Sequence, residues 1–262
     1  MLRIGFLGAG NMAYALAGAV SEKIGEVEII PFDINEQRLQ LFSDSFAATR
    51  IAASAQDLSD RADIIIIAVK PQVLENALKP LRAFGGLAVS IAAGVGLAAL
   101  EGYLPSAKLI RVMPNTPCFV GEMAAGYCAG KDVGAAELDA VSMILDAAGR
   151  AVRVEEELMD AVTGVSGSGP AYFARIAEAF IAAGVNAGLS EEHSRLLALQ
   201  TMKGTAELML KKDMSPEELV AMVSSPNGTT VAGREVLEGS DLSRIIQSTV
   251  DRTIERSKEL GA

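Results

Sequence analysis

The sequence predicts an α/β domain with a mainly parallel sheet, followed by an all-helical domain. Short apolar runs alternate with helix-like segments as far as about residue 157, and from Leu158 onward the strand signals stop. After Asp63, Ile64-Ile65-Ile66-Ile67-Ala68-Val69 is an unbroken apolar run of the kind that a parallel strand covered on both faces requires. The first strand runs directly into Gly8-Ala9-Gly10-Asn11-Met12-Ala13, a glycine-rich turn that opens a helix. The expected division is residues 1–157 and 158–262, and 262 residues suffice for two ordinary cores.

Ile4, Phe6 and Leu7 make the first strand, and the turn after it is the G-x-G-x-x-A form of the dinucleotide fingerprint, which marks a Rossmann domain. Gly8 permits the tight turn. Gly10 lacks the Cβ that would hold a pyrophosphate off the backbone, and Ala13 lets the helix lie close to the strand. The first N–H groups of that helix, around Asn11 and Met12, offer a site for anionic phosphate. The second strand, 27–33, ends at Asp33, about 20 residues past the fingerprint, where an acidic residue meets the ribose hydroxyls. Asp33 can equally cap the helix that starts near Asn35, and the two roles are compatible. Asn35 and Arg38 are placed to reach a 2′-phosphate, whereas Asp33 would repel it, so NAD(H) and NADP(H) both stay open.

Pro71 stops the β-branched strand and opens a helix at its first position. That puts Val69-Lys70-Pro71-Gln72 at the carboxyl edge of the sheet, where ligands bind in such folds. Lys70 reads equally as a ligand-side residue and as a solvated turn charge. Residues 87–91 form a further strand, followed by the small-residue turn Ala92-Ala93-Gly94. The strand 109–113 ends in Pro114-Asn115-Thr116-Pro117, a rigid loop whose polar groups point off the sheet edge. A strand at 124–128, a helix at 134–148 and a strand at 151–154 complete the domain.

The second domain reads as helices at 167–184, 190–211, 215–223, 229–237 and 242–260. Ser190 before Glu191, Glu192 and His193, and Ser215 before Pro216, Glu217 and Glu218, are capped helix starts. His193 therefore belongs to a helix start and is expected to be exposed rather than catalytic. The apolar faces are wider than a thin domain can bury alone, which points to a second subunit. Two polar loops interrupt these helices. Gly164-Val165-Ser166-Gly167-Ser168-Gly169-Pro170-Ala171-Tyr172 reads either as free N–H groups and serines at a helix N-terminus, fit for a carboxylate, or as a serine-capped junction. Ser224-Ser225-Pro226-Asn227-Gly228-Thr229-Thr230 is a turn opening another helix, with Thr229 or Thr230 as its cap in the plain reading.

A net charge of −10 disfavours nucleic acid and anionic membrane as partners. His193 is the single histidine, and Cys118 and Cys128 lack metal or redox spacing, so no metal is expected. No signal peptide is expected ahead of the first strand, and the apolar stretch 87–100 is too short to span a membrane. A cytoplasmic protein is expected.

Phe6-Leu7-Gly8-Ala9-Gly10-Asn11-Met12-Ala13, Ala68-Val69-Lys70-Pro71-Gln72, Met113-Pro114-Asn115-Thr116-Pro117 and the two C-terminal loops occur in the order and spacing of pyrroline-5-carboxylate reductases, which this chain resembles over nearly its whole length. The resemblance implies NAD(P)H-dependent reduction of Δ1-pyrroline-5-carboxylate, a cyclic imino acid, to L-proline in the last step of proline synthesis. It implies a helical C-terminal dimerisation domain and a homodimer, assembled in some members into a larger oligomer of dimers. It places Ala68, Val69, Lys70, Pro71 and Asn115 on the nicotinamide side. Ser225, Gly228, Thr229 and Thr230 would hold the substrate carboxylate and ring, with the Thr230 hydroxyl nearest the nitrogen. Ser168, Gly169, Pro170 and Ala171 would form the opposite wall. Asn227 stands where the family usually has glycine, and asparagine tolerates left-handed backbone better than other side chains do.

The β-hydroxyacid dehydrogenases share the plan, with a G-x-x-G-x-G-x-x-x-K signature. Gly164, Gly167 and Gly169 reproduce its glycines, but Phe173 occupies the lysine position and removes the acid–base group an alcohol oxidation needs. A non-catalytic nucleotide sensor would need the fingerprint but neither polar loop.

Overall fold

The computed structural model describes residues 1–261. Contacts group the chain into two compact units, one of Met1–Ser168 joined by the C-terminal stretch from Val250, the other of Gly169–Thr249. The first unit runs β1 (Leu2–Leu7), α1 (Asn11–Lys23), β2 (Val27–Phe32), α2 (Glu36–Ser45), α3 (Ala55–Arg61), β3 (Ile64–Ile67), α4 (Leu74–Leu78), β4 (Leu87–Ser90), α5 (Leu97–Tyr103), β5 (Lys108–Met113), β6 (Met123–Ala129), α6 (Ala135–Ala148) and β7 (Gly149–Arg153).

The strands form one seven-stranded sheet in the order β2-β1-β3-β4-β5-β6-β7. Every neighbouring pair is parallel except β5 and β6. The exception follows from the connection. Only the short 3-10 turn Thr116–Val120 joins β5 to β6, too little chain for a crossover, whereas α6 carries the chain from β6 back to a parallel β7. The β-branched run of β3 is divided between two cores: Ile64 and Ile66 pack on one face with Phe6, Leu16 and Phe42, while Ile65 and Ile67 pack on the other with Leu7, Leu58 and Leu78. That double burial is why the strand has no polar alternation.

Past β7, the short helix α7 (Met159–Val162) and the π-helical turn Thr163–Gly167 remain with the sheet. Met159 is fully buried in the second core, and a Cβ on Gly126 of β6 would sit 2.6 Å from Val162 Cγ2. The last helix, α12 (Leu242–Gly261), returns to the same place: a Cβ on Gly164 would sit 3.1 Å from Val250 Cγ1, and Ser257 Oγ donates to Asp160 Oδ1 at 2.6 Å. Secondary structure thus changes type after β7, while the compact units divide after Ser168.

The second unit is helical: α8 (Gly169–Asn186), α9 (Glu191–Lys212), α10 (Pro216–Val223), α11 (Thr229–Glu238) and the first half of α12. Ser190 Oγ accepts the His193 N–H at 3.1 Å, and Ser215 forms a reciprocal capping box with Glu218. Gly184 has no room for a Cβ beside Ser194, whose Oγ donates to the Ile181 carbonyl at 2.7 Å, so α8 and α9 approach closely there. Yet the unit has almost no core. Among the described residues, α10 and α11 bury nothing, while Phe173, Phe180 and Leu197 line an open apolar cavity of about 760 Å³.

The contact of α7 with β6 is tested by Gly126→Ala. Overpacking against Val162 is expected to lower stability by about 1–3 kcal/mol, read as a shift of the urea midpoint at constant slope. Adding Val162→Ala should recover most of the loss, and an unshifted midpoint for the single variant would mean that α7 does not lie against Gly126.

Candidate active site

The carboxyl edge of the sheet is organised around the turn between β1 and α1. Gly8 has left-handed backbone, φ +98°, and a Cβ there would lie 2.9 Å from the backbone carbonyl of Ala68. Only glycine allows this close approach. The next peptide is held from both sides. The Ala9 N–H donates to Asp33 Oδ2 at 2.6 Å, and Arg38 Nε donates to the Ala9 carbonyl at 2.7 Å. Asp33 Oδ1 accepts the Asn35 N–H at 2.9 Å.

The cap of α2 is Asn35, whose Oδ1 accepts the N–H groups of Gln37 and Arg38 at 3.0 and 3.3 Å. The alternative in which Asp33 caps α2 is therefore corrected. Two backbone N–H groups already occupy its carboxylate, which sits two residues before the N-cap.

Gly10 is the N-cap of α1 and supplies no side-chain bond to it. Nothing lies within 4 Å of where its Cβ would be, whereas Ala13 is fully buried against the core. An open space of that kind before an uncapped helix is what a dinucleotide pyrophosphate needs, so the residues present fit such a cofactor. Arg38 Nη2 is buried without a hydrogen-bond partner. It lies on the same side of the fold as the Ala9 clamp.

The next turns along the edge belong to β3 and β5. The Ala68 N–H extends the ladder to the Leu7 carbonyl at 2.8 Å, Ala68 and Val69 are half-buried, and Lys70 is exposed before the 3-10 turn Pro71–Val73. Asn115 is buried, and its amide is engaged at both ends. Oδ1 accepts the Ala124 N–H at 2.9 Å and Nδ2 donates to the Ser166 carbonyl at 3.0 Å. It fastens the end of β5 to β6 and to the π-helical turn.

The two polar loops differ from each other. Thr163–Gly167 is a π-helical turn, with Ser168 N–H donating to the Thr163 carbonyl at 2.9 Å and Ser168 itself in right-handed helical torsions. Thr163 Oγ1 and Ser166 Oγ bond back to the carbonyls of Met159 and Val162 at 3.0 and 3.1 Å. The expectation of a free helix N-terminus within this first loop is corrected. Serine and threonine back-bonding keep the chain helical where glycines suggested a break.

The second loop is a true turn. Asn227 takes left-handed torsions at φ 58°, and the Gly228 N–H donates to the Ser225 carbonyl at 2.9 Å. A Cβ on Gly228 would lie 2.9 Å from the Ser225 carbonyl oxygen and 2.5 Å from Ser225 Oγ, so the turn as closed leaves no room for a side chain there. Gly228 is the N-cap of α11, and no side chain caps that helix. The plain reading of Thr229 or Thr230 as the cap is corrected, because both lie inside the first turn. Ser225, Thr229 and Thr230 are exposed.

Among the described residues no group of His, Cys, Asp and Glu is arranged to hold a metal ion. Burial pushes the thiols of Cys118 and Cys128 up to about 11, so neither is a thiolate near neutral pH. His193 is exposed. Composition and spacing gave no sign of the ion pair at 3.6 Å between buried Arg111 and half-buried Glu156, below the same edge. A charge within the otherwise apolar run of residues 109–113 was the available signal.

A family profile described as pyrroline-5-carboxylate reductase dimerisation matches residues 156–260, and one described as NADP oxidoreductase, coenzyme F420-dependent, matches residues 3–94. The chain is 40% identical over 266 residues to a pyrroline-5-carboxylate reductase of Synechocystis, covering 99% of this chain and 98% of the relative. It is 39% identical over 270 residues to one of Methanosarcina acetivorans, again covering 99% and 98%. The crystal structure of the Plasmodium falciparum pyrroline carboxylate reductase with NADP bound matches with a TM-score of 0.87 at 31% identity, covering 100% of this chain and 98% of that one. With such identity maintained from end to end, and a nucleotide cradle at the head of the sheet, the chain belongs to the pyrroline-5-carboxylate reductase family.

Proposed function

We propose that this chain reduces Δ1-pyrroline-5-carboxylate to L-proline with NAD(P)H, as a homodimer through its helical half. The observation that carries the reading is the uncapped N-terminus of α1 behind an open Gly10, in a chain so similar to these reductases throughout. Mixing the protein with pyrroline-5-carboxylate and NAD(P)H should consume the 340-nm absorbance of the coenzyme and yield proline. Coenzyme oxidation without proline would overturn the reading.

When bound, NAD(P)H supplies the hydride. Gly10, Asn11 and Met12 would receive the pyrophosphate through backbone N–H groups, and Gly8, whose own N–H donates to the Phe32 carbonyl at 2.8 Å, would shape the turn that admits it. Asp33, Asn35 and Arg38 define the adenosine ribose end, and Ala68, Val69, Lys70, Pro71 and Asn115 the nicotinamide side, with Asn115 acting through the backbone it fastens. The uncapped N–H groups opening α11 suit the substrate carboxylate, so Ser225, Gly228, Thr229 and Thr230 hold carboxylate and ring. Ser168, Gly169, Pro170 and Ala171 bound the ring by shape and by the Ser168 hydroxyl rather than by free N–H groups. The Thr230 hydroxyl bonds the nitrogen as imine becomes amine.

Residues 158–262 serve as the substrate-binding and dimerisation domain and residues 1–157 as the nucleotide domain. The helical faces left open in one chain support dimers, which can assemble into a larger oligomer. The protein works in the cytoplasm without membrane or nucleic acid. Among its described residues no helix is long and apolar enough to cross a membrane, and its charge of −10 repels nucleic acid.

Coenzyme choice turns on Asp33. Asp33→Ser should raise the NADPH-to-NADH ratio of kcat/KM by removing repulsion at the 2′-phosphate. It should also raise KM for both coenzymes, because the Ala9 peptide loses its acceptor. An unchanged ratio would show that Asp33 acts on the turn alone.

Because Thr230 does not cap α11, Thr230→Ala should leave the melting temperature nearly unchanged. It should lower kcat by roughly tenfold, or ~1.4 kcal/mol of transition-state stabilisation. The defect should deepen as pH rises, since at lower pH the substrate arrives already protonated at nitrogen. A variant that melts early but turns over normally across pH would return Thr230 to a structural role.

A further inference from the structure

The strand order leaves one turn at the carboxyl edge without a role. β4 lies between β3 and β5, so the turn after it lies between the two turns assigned above to the nicotinamide side. That turn, Ala92-Ala93-Gly94-Val95-Gly96, offers small side chains with no polar reach. It contributes through where its backbone lies. The Ile91 N–H donates to the Ile67 carbonyl at 3.0 Å, and Gly94 has left-handed torsions at φ 77°.

Two side chains hold the turn. Ser90 Oγ accepts the Ala92 N–H at 3.3 Å from within the strand. At the other end, Glu156 Oε1 accepts the Leu97 N–H at 2.6 Å. Glu156 is distant in sequence, in the 3-10 turn after β7, and Arg111 Nη1 on β5 stands 3.6 Å from the same oxygen. Arg111 is only 8% exposed, which places a buried positive charge beside the half-buried carboxylate and favours its ionised form there. A Cβ on Gly96 would come within 3.2 Å of that oxygen, so the turn leaves room for the carboxylate that holds it.

We propose that Glu156, set by Arg111, is a positioning residue for hydride transfer, fixing the Ala92–Gly96 backbone as the surface on which the nicotinamide end rests. This rests on the reading of the protein as an NAD(P)H-dependent imine reductase. Displacing that surface by about an ångström misaligns donor and acceptor, a displacement that can cost on the order of a hundredfold in rate. The adenosine end, held by the β1 and β2 turns, stays as it was.

The test compares Glu156→Ala with Glu156→Gln, which keeps an oxygen for the Leu97 N–H but not the charge. Glu156→Ala should lose roughly ten- to a hundredfold in kcat. It should show a larger isotope effect with coenzyme deuterated at C4, and exchange amide hydrogens faster in a peptide covering residues 91–97. Its affinity for 2′,5′-ADP, which lacks the nicotinamide, should equal the parent's. Glu156→Gln should recover most of kcat. Gly96→Ala, whose φ of −77° suits alanine, gives a gentler displacement should Glu156→Ala not fold, and should show the same raised isotope effect.

Faster exchange with parental kcat and isotope effect would overturn the proposal, since the turn would then be held but not used. So would unaltered exchange, since Glu156 would not hold it. An unmutated protein that makes no proline would instead overturn the reading beneath it.

Discussion

One peptide fixes the nucleotide side of this protein. The Ala9 N–H reaches Asp33 and its carbonyl receives Arg38, so charged groups on β2's end and on α2 grip the turn between β1 and α1. Bonds to ionised partners are roughly twice as strong as neutral ones. Gly8, in contact with the Ala68 backbone, extends the same rigidity to the turn after β3. Three turns therefore form one surface before any ligand arrives. Donors fixed in advance do not have to be ordered during binding, which is where much affinity is otherwise lost.

The helical half obeys the opposite constraint. The sheet buries every side chain of β3, whereas α10 and α11 bury none and α8 and α9 leave an apolar cavity between them. At about 25 cal/mol per Å² of apolar area, such faces are a standing cost to an isolated chain and a driving force for pairing. The loop Ser224–Thr230 belongs to this coreless unit. Its turn is closed locally by Gly228 and Asn227, while the helices it joins bury no residue within this chain.

Much of this was legible in the chain itself. The fingerprint, the isoleucine run and the serine-capped helices name their structures because each depends on nearby residues: a glycine at a forced φ, a strand buried twice, a hydroxyl three residues from an N–H. The first polar loop was misleading for a related reason. Its glycines suggest a break, but Thr163 and Ser166 bond backward into the helix and hold a π turn. Thr230 looked like a cap because threonine often is one, and the turn instead placed Gly228 there. Glu156 and Arg111 were illegible because their meaning is tertiary: no local pattern connects a glutamate after β7 to an amide opening α5.

Both ligands of the proposed reaction are anions, and the protein carries a net charge of −10. Its long-range field opposes them. Side-chain cations are sparse where they would help: Lys70 is exposed to solvent, and Arg38 gives its Nε to the Ala9 carbonyl. What remains are backbone N–H groups at two uncapped helix starts, behind Gly10 and behind Gly228. Their partial positive charge acts only over the first turn, so it discriminates by position rather than by charge alone. An anion is held when its oxygen sits at the end of the helix, and an anion displaced by a few ångströms meets only the repulsive field. For a hydride transfer with no nucleophile and no metal, that positional selectivity is the larger part of what the protein has to provide.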